Sequence, residues 1–534
     1  MDNKKLLSDK LSSRYAKLET DRRPFLDRAR QCAVLTIPAI MPPAGFGPSS
    51  QLPTPYQSLG ARGVRTLASK LLLSLFPSSM PFFNYRLDDL TVQKLGNTRG
   101  EFEKALASRE KAVCMELDTC VFRPSASVCL QHLVVTGNFC LHVPPDQKER
   151  AQGFRLDQYV VRRDNSGNLL ELIIQESLDF SSVPEEIKKV LLTVDKYKEK
   201  VSEPDKLSDS PVRIFTVCYK HPIDGKWYTY QEAEDVFVTG SDGSYLDGEL
   251  PYLVLRFSFQ PGEDYGRGYV EEYLGDLDSL EALSETLVEG SAASARILFL
   301  VNPGGMTNIQ VIEKAPNGAV RSGRAEDVQA MQVGKQQDLT VAKGQAEEIA
   351  NRLAYAFLLH SAVQRQGERV TAEEIRYMAA ELDDGLGGVY TLFAADFQLP
   401  SVRLFEKRME KRLGQQKLPK ETVHPVVVAG LEAIGRGHDQ RNLRAFITDV
   451  YQTLTPPVAG RWMHVGELIS RTGASYSVDM NGLVKTPDEV AAEQQQEMAM
   501  AMMQKLGPNA INQAGGIAQT GMQAGAEGEP PPEG

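Results

Sequence analysis

Two long helical segments bracket a stretch that loses helical period, and this pairing constrains the fold more than any other feature of the chain. From Glu271 to Ala295, Leu274, Leu277, Leu280, Leu283 and Leu287 recur every three to four residues and are flanked by acids. So narrow an apolar stripe suits burial against neighbouring helices. The far end, GSAASA from Gly290, is made of small residues and permits close approach of an adjacent backbone. Leu339 to Ala362 repeats the helical spacing with Ile349, Leu353, Ala356, Phe357 and His360. Between the two, Ile297 to Asp338 carries the turn NPGG (Asn302 to Gly305), then PNG and SGR, and reads as a compact β-containing excursion. An antiparallel hairpin of helices with a small tip is the simplest geometry.

Upstream, Leu11, Tyr15 and Leu18, then Phe25, Leu26, Ala29 and Ala33, are helically spaced. Pro24 falls between the two sets, which predicts two helices. A Pro-rich loop, TIPAIMPPAGFGPSSQLPTPYQ, precedes a helix from Leu59 to Phe76 with Leu67, Leu71 and Leu75 on one face and Pro77 at its end. Between about Arg155 and Phe259, short β-rich runs (YVVRRD, LLELIIQ, VRIFTVCYK, KWYTYQE, YLVLRFSF) alternate with turns such as DNSGN and IDGK, predicting an antiparallel sheet. One helix interrupts it, at SSVPEEIKKVL, with Ser182 as N-cap and Glu185 at the third position. After the hairpin, Thr371 and Glu374 form a capping box for TAEEIRYMAAEL. Gly385, Gly387 and Gly388 predict a kink before VYTLFAADF, and further helices follow to about Arg471. From Thr486 and Pro487 a Met-rich helix dissolves into a Gly/Pro-rich tail.

At 534 residues the chain needs more than one packed region. Its net charge of -11 disfavours general gripping of nucleic acid, which needs a basic surface. An acidic wall with a few local cations can still guide a duplex without holding it. Six cysteines without a CxxC pair read as reduced thiols, mostly buried. No apolar run reaches the ~18 residues that span a bilayer, so no membrane partner is expected and synthesis is placed in the cytoplasm. No GxxxxGK[ST] phosphate loop, GxSxG elbow or HExxH pair occurs, and the seven histidines are scattered and read as structural. No cofactor and no metal site is expected. Arg14, Lys17, Arg22, Arg23, Arg28 and Arg30 alternate with acids and read as a surface helix face.

Several stretches carry a resemblance: QSLGARGVRTLASKLLLSLFP, LVVTGNFCLHVP, YVVRRDNSGN, YGRGYVEEYLGDLDSLEAL, LVNPGG, AVQRQGERVTAEEIRYMAAELDDGLGGVY and GLEAIGRG, in this order. The chain resembles the portal proteins, or head-to-tail connectors, of short-tailed bacteriophages from about Thr20 to Arg436. The resemblance implies an α+β, mainly helical portal fold that assembles as a dodecameric ring around a DNA channel. It implies a wing at residues 1–268, stem helices at 269–296 and 339–362, and a clip at 297–338. A channel loop at 363–370, a wing helix at 371–420, a crown at 421–486 and a C-terminal helix with tail at 487–534 complete the layout. Implied partners are further copies of the chain, double-stranded DNA, the terminase large subunit, capsid and scaffolding proteins, the tail adaptor and internal core proteins. The place is the portal vertex of the virion, and the implied role is passage of DNA, not catalysis.

On that reading Arg365, Gln366, Glu368 and Arg369 belong to the channel loop, where symmetry turns each arginine into a ring of positive charge. Phosphate contacts of this kind carry no sequence information, so they can centre any DNA. Asp384, Gly385, Gly387 and Gly388 form a valve hinge, and Asn302, Pro303, Arg321 and Arg324 belong to the clip. Two rivals stand beside it: another ring-forming tail adaptor or collar, and a metal-dependent DNA-processing enzyme using Glu381 and Asp383.

Overall fold

The computed structural model describes most of residues 7–302, parts of 314–331, residues 336–359, Leu382, Gly385, Leu386, residues 389–413 and 423–427, and a few positions between 445 and 500. The chain divides into two compact units, Met1–Ala433 and Ile434–Gly534, and the elements below belong to the first. They begin with helices α1 (Leu11–Val34) and α2 (Leu59–Leu75), strand β1 (Phe83–Leu87), helices α3 (Arg99–Thr119) and α4 (Phe122–Thr136), and strands β2 (Asn138–His142) and β3 (Gln152–Phe154). Strands β4 (Tyr159–Arg163), β5 (Leu169–Asp179), β6 (Pro211–Lys220), β7 (Trp227–Ala233), β8 (Val236–Phe237), β9 (Gly243–Tyr245) and β10 (Tyr252–Arg256) follow, with α5 (Glu185–Leu191) between β5 and β6.

A sheet is present between Arg155 and Phe259 and is antiparallel throughout, in the order β4-β5-β6-β7-β8, with β9 also on β7, but the run YLVLRFSF, expected in it, forms β10 and pairs with β2 instead. Its turns close on glycines that need positive φ: Gly167 at 85° in DNSGN and Gly225 at 66° in IDGK. The outer edge of β4 is covered, since Val161 N–H donates to the Tyr265 hydroxyl (3.1 Å) and Arg163 N–H to Asp264 Oδ1 (2.6 Å). A second, three-stranded sheet, β10-β2-β3, joins the main core.

Helix α1 corrects two expectations. It is one helix through Pro24, not two. Its buried side, Leu11, Tyr15, Leu18, Arg22, Leu26, Ala29 and Cys32, runs unbroken past the proline, and tertiary burial overrides the missing hydrogen bond. The supposed surface cation Arg22 is only 1% exposed. Its guanidinium donates to the Tyr15 hydroxyl (2.9 Å) and to the carbonyls of Leu156 (3.1 Å) and Tyr159 (2.8 Å). The N-terminal half of α1 covers one sheet face with Leu11, Tyr15 and Leu18 against Val160, Ile173, Phe215 and Val217. Lys10 offers no side-chain cap there, and the buried Glu232 on β7 accepts the Leu11 N–H at 2.9 Å instead.

Further corrections concern boundaries. Helix α5 starts at Glu185 with Pro184 before it and no side-chain cap, so Ser182 is not its N-cap; it ends a 3₁₀ turn. After VYTLFAADF the expectation of helices to about Arg471 fails at β13 (Val423–Val427), which pairs antiparallel with β1. Beyond the predicted kink, helix α8 (Val389–Phe393) runs into one π-helical turn, Ala394–Gln398, and then into α9 (Leu399–Leu413). Arg408 of α9 is buried against Glu116 of α3 at 3.2 Å and donates to the Pro144 carbonyl at 2.9 Å, fastening this rod to the body. The capping box at Thr371 and Glu374 and the C-terminal tail lie outside the described residues.

Candidate functional site

Two long helices bracket the excursion of the sequence, of which only parts lie among the described residues. After a single turn, Tyr269–Glu272, helix α6 spans Leu274–Ser294, and helix α7 spans Gln336–Ala356. The first is therefore broken at Tyr273, where it was expected to be continuous. The second begins three residues early and ends at Ala356 instead of Ala362. The two run antiparallel: Arg352 pairs with Asp276 at 3.1 Å at one end, and Gly290 meets Leu339 at the other. A Cβ on Gly290 would stand 2.9 Å from a Leu339 methyl, so Gly290 allows close approach there, while Ser291, Ala292 and Ala293 are exposed. Leu277 and Leu280 of α6 are buried with Ile349 and Leu353 of α7 and with Phe357 just past its end. At the tip, β11 (Leu298–Val301) pairs antiparallel with β12 (Val328–Met331) and closes the base of the excursion.

Helix α6 carries five acids, Asp276, Asp278, Glu281, Glu285 and Glu289, and no base. Asp278, Glu285 and Glu289 are exposed and make no ion pair among the described residues. Glu281 turns inward to the body and accepts the backbone N–H groups of Tyr56 (2.7 Å) and Gln57 (3.2 Å), tying the Pro-rich loop to the hairpin.

The root of the hairpin is a backbone-to-backbone junction that the sequence reading quoted but did not explain. Gly137 follows α4 at φ 73°, and a Cβ there would stand 2.4 Å from the Arg267 carbonyl carbon. A Cβ on Gly266 would stand 2.6 Å from the Ser258 carbonyl oxygen, and one on Gly268 2.6 Å from that of Val135. Asn138 completes the junction: its side-chain amide donates to the Gly266 carbonyl (2.7 Å), and its Oδ1 accepts the Gly266 N–H (2.7 Å). The motifs TGN and YGRG are thus two halves of one joint.

Of the expected site residues, the structure describes three. Asn302 is exposed, with its N–H donating to the Asp327 carbonyl at 2.9 Å. Arg324 is exposed, its carbonyl accepting the Asp327 N–H at 3.1 Å, so Asp327 links Asn302 and Arg324 at the base of the tip. Gly385 is helical, and a Cβ on it would touch the Leu358 side chain at 3.6 Å. Pro303, Arg321, Arg365, Gln366, Glu368, Arg369, Asp384, Gly387 and Gly388 lie outside the described residues, as do the rival carboxylates Glu381 and Asp383 and the residue His360. Among the described residues no group of acids, histidines and cysteines has the arrangement of a metal site, and no helix is long and apolar enough to cross a membrane. The cysteines are free, five of them buried. His132 is buried beside the Phe139 ring, and burial pushes its imidazole down to about 3. His142 stacks on Tyr252 and is pushed down to about 4 for the same reason.

The family profile described as bacteriophage head to tail connecting protein matches residues 8–483, which spans the body, the hairpin and its excursion. The chain belongs to this family. Portal proteins of Escherichia phage T7 and Enterobacteria phage T3 are 37% and 38% identical, over 98% and 92% of this chain and 96% and 91% of their own lengths. That of Enterobacteria phage SP6 is 30% identical over 97% of this chain and 98% of its own. A chain from the neck of an empty GTA particle aligns over 73% of this chain and 86% of its own, at 14% identity and a TM-score of 0.34. The connector is an α+β, mainly helical portal protein, a structural component of the virion at the junction of head and tail. The family assignment fits the resemblance carried by the quoted motifs.

Proposed function

We propose that copies of this connector close into a dodecameric ring at one capsid vertex, through which DNA enters during packaging and leaves during ejection, and to which the tail attaches. The observation that carries the reading is the antiparallel hairpin of α6 and α7, whose first helix bears acids and no base. Repeated around a symmetric ring, that face is a wall that repels phosphates, so a duplex slides along it instead of adhering. On this reading residues 1–268 and 371–420 are the wing, 269–296 and 339–362 the stem, and 297–338 the clip. Residues 363–370 are the channel loop, residues 421–486 the crown, entered through β13, and 487–534 the C-terminal helix and tail.

Within the ring, Arg365 and Arg369 centre the duplex by backbone contact, with Gln366 beside them and the acids Glu368, Asp383 and Asp384 limiting adhesion. Asp384, Gly385, Gly387 and Gly388 act as the hinge of a valve that retains packaged DNA. Asn302, Pro303, Arg321 and Arg324 in the clip meet the terminase large subunit first and the tail adaptor afterwards. The wing and crown face capsid, scaffolding and internal core proteins. The connector catalyses nothing and takes no cofactor: force comes from the terminase. Replacing Arg365 and Arg369 together by Ala lowers the DNA content of heads while rings still assemble, and unchanged packaging contradicts the guide ring. Replacing Gly387 and Gly388 by Ala leaves heads that fill but leak, and normal retention contradicts the valve.

A further inference from the structure

Helix α2 carries three cations, Arg62, Arg65 and Lys70, and no acid. Lys70 is buried, and its ammonium donates to the Leu358 carbonyl at 2.9 Å, just past α7. Arg62 and Arg65 are exposed, and neither side chain makes an ion pair or hydrogen bond among the described residues. They stand one turn apart in an exposed row with Ser58 and Ser69, so their like charges repel and nothing on α2 relieves them. Helix α6 has the reverse composition, five acids and no base. Near its start Gly275, Asp278, Ser279 and Ala282 share one exposed face. Asp278 makes no ion pair among the described residues, and a Cβ on Gly275 would meet nothing within 4 Å. A glycine weakens a helix relative to alanine, and no steric contact within the chain calls for this one. The two faces, one basic and one acidic among small residues, are complementary, yet they do not meet within one copy.

The hairpin sets the level of both faces. Glu281 accepts the N–H groups of Tyr56 (2.7 Å) and Gln57 (3.2 Å), so α2 begins beside Glu281. A Cβ on Gly63 would stand 2.6 Å from Phe357 and Lys70 reaches Leu358, so α2 runs toward the root of the hairpin, where Arg352 pairs with Asp276 at 3.1 Å. Arg62 and Arg65 therefore lie level with the part of α6 between Asp276 and Glu281, which holds Asp278. Rotation about a ring axis carries each copy into the next without changing its level, and a cyclic interface joins two different patches of one chain. We propose that Arg62 and Arg65 of one copy seat on the Asp278 face of α6 in the next, as charge-assisted pairs that close the ring. Glu285 and Glu289, nearer the tip, stay on the channel wall. Duplex DNA is the other anion that suits two arginines, but the acids of the hairpin at the same level repel it. The proposal rests on the reading of this chain as a ring with the hairpin as its stem.

The test is ring assembly of the full-length protein by size-exclusion chromatography and electron microscopy, with circular dichroism and thermal unfolding to verify that each variant folds. Arg62→Glu with Arg65→Glu places like charges at every interface, so the protein concentration for half-assembly should rise by about tenfold. Asp278→Arg alone should do the same. The three changes together reverse the pair at each interface and should bring assembly back to within about threefold of wild type. Arg62→Gln with Arg65→Gln, a milder change to the same face, should give a smaller loss of the same kind. Rings that assemble normally with the arginines reversed, or a loss that Asp278→Arg does not mend, overturn the proposal. Arginine variants whose rings are normal but package less DNA assign the pair to the duplex and overturn it too. Wild-type protein that forms no ring overturns the ring reading itself, a failure seen before any substitution is made.

Discussion

Single buried polar side chains decide much about this molecule. Arg22 sits inside α1 with three backbone or hydroxyl acceptors that have no water to turn to. Arg22→Met should cost about 3 kcal/mol, since the Leu156 and Tyr159 carbonyls are left unanswered in the core. Chemical denaturation of the purified protein measures it, and a loss below about 1 kcal/mol would place the arginine on the surface face expected from sequence. His132 and His142 make a second case. Their folded values, about 3 and about 4, lie below the ordinary 6.5 because burial disfavours the charged ring. Between those values and 6.5 the unfolded chain binds more protons than the folded one, so stability rises with pH across that window. Thermal midpoints should drop on acidification below 6.5, and His132→Gln should flatten part of that slope. An unchanged slope would mean that His132 is not neutral in the core. Neither burial was readable in the sequence: an arginine among alternating charges and a scattered histidine look the same whether they face water or a carbonyl.

At the scale of elements, sequence and structure agree where one period governs and part where distant contacts intervene. The leucine stripe of α6 and the close approach at Gly290 survived intact because both helices of the hairpin are close in sequence and bury the same stripe. The β-rich runs likewise declared themselves by their turns. By contrast, β1 and β13 are far apart along the chain and, among the described residues, pair only with each other, so only the folded body brings Phe83 opposite Val427. Pro24 deceived for a related reason, because its cost is local while the burial that outweighs it spans the whole of α1. The π-helical turn at Ala394–Gln398 follows α8 and lies just ahead of Pro400, which has no N–H to give the Asp396 carbonyl; Gln398 reaches from it to the Leu75 carbonyl at the end of α2. The joint of TGN and YGRG was visible only as a motif. Gly268→Ala tests its role: with 2.6 Å between the new methyl and the Val135 carbonyl, α4 and the root of the hairpin must part. The expected result is a destabilisation of about 3 kcal/mol and loss of assembled rings, measured by denaturation and size-exclusion chromatography. Stable, assembled Gly268→Ala protein would show the joint to be loose.

For the whole molecule, the candidate site was legible in outline and not in detail. The quoted motifs implied a DNA conduit by resemblance, and the acidic balance, the missing phosphate loop and the two helices around an excursion agreed with it. The expected guide arginines and most of the expected hinge fall outside the described residues, while Lys70 and Leu358, which meet at the end of α7, carry no sequence signature at all. A lysine in a leucine-rich helix becomes informative only when its ammonium is found on a carbonyl. The central claim is that this chain works as a closed ring around DNA, and electron microscopy of the purified full-length protein tests it most directly. The account predicts a closed ring of about a dozen subunits with an open central hole, as expected for a cyclic head-to-tail interface; a monomer, or an assembly without a central channel, would contradict it.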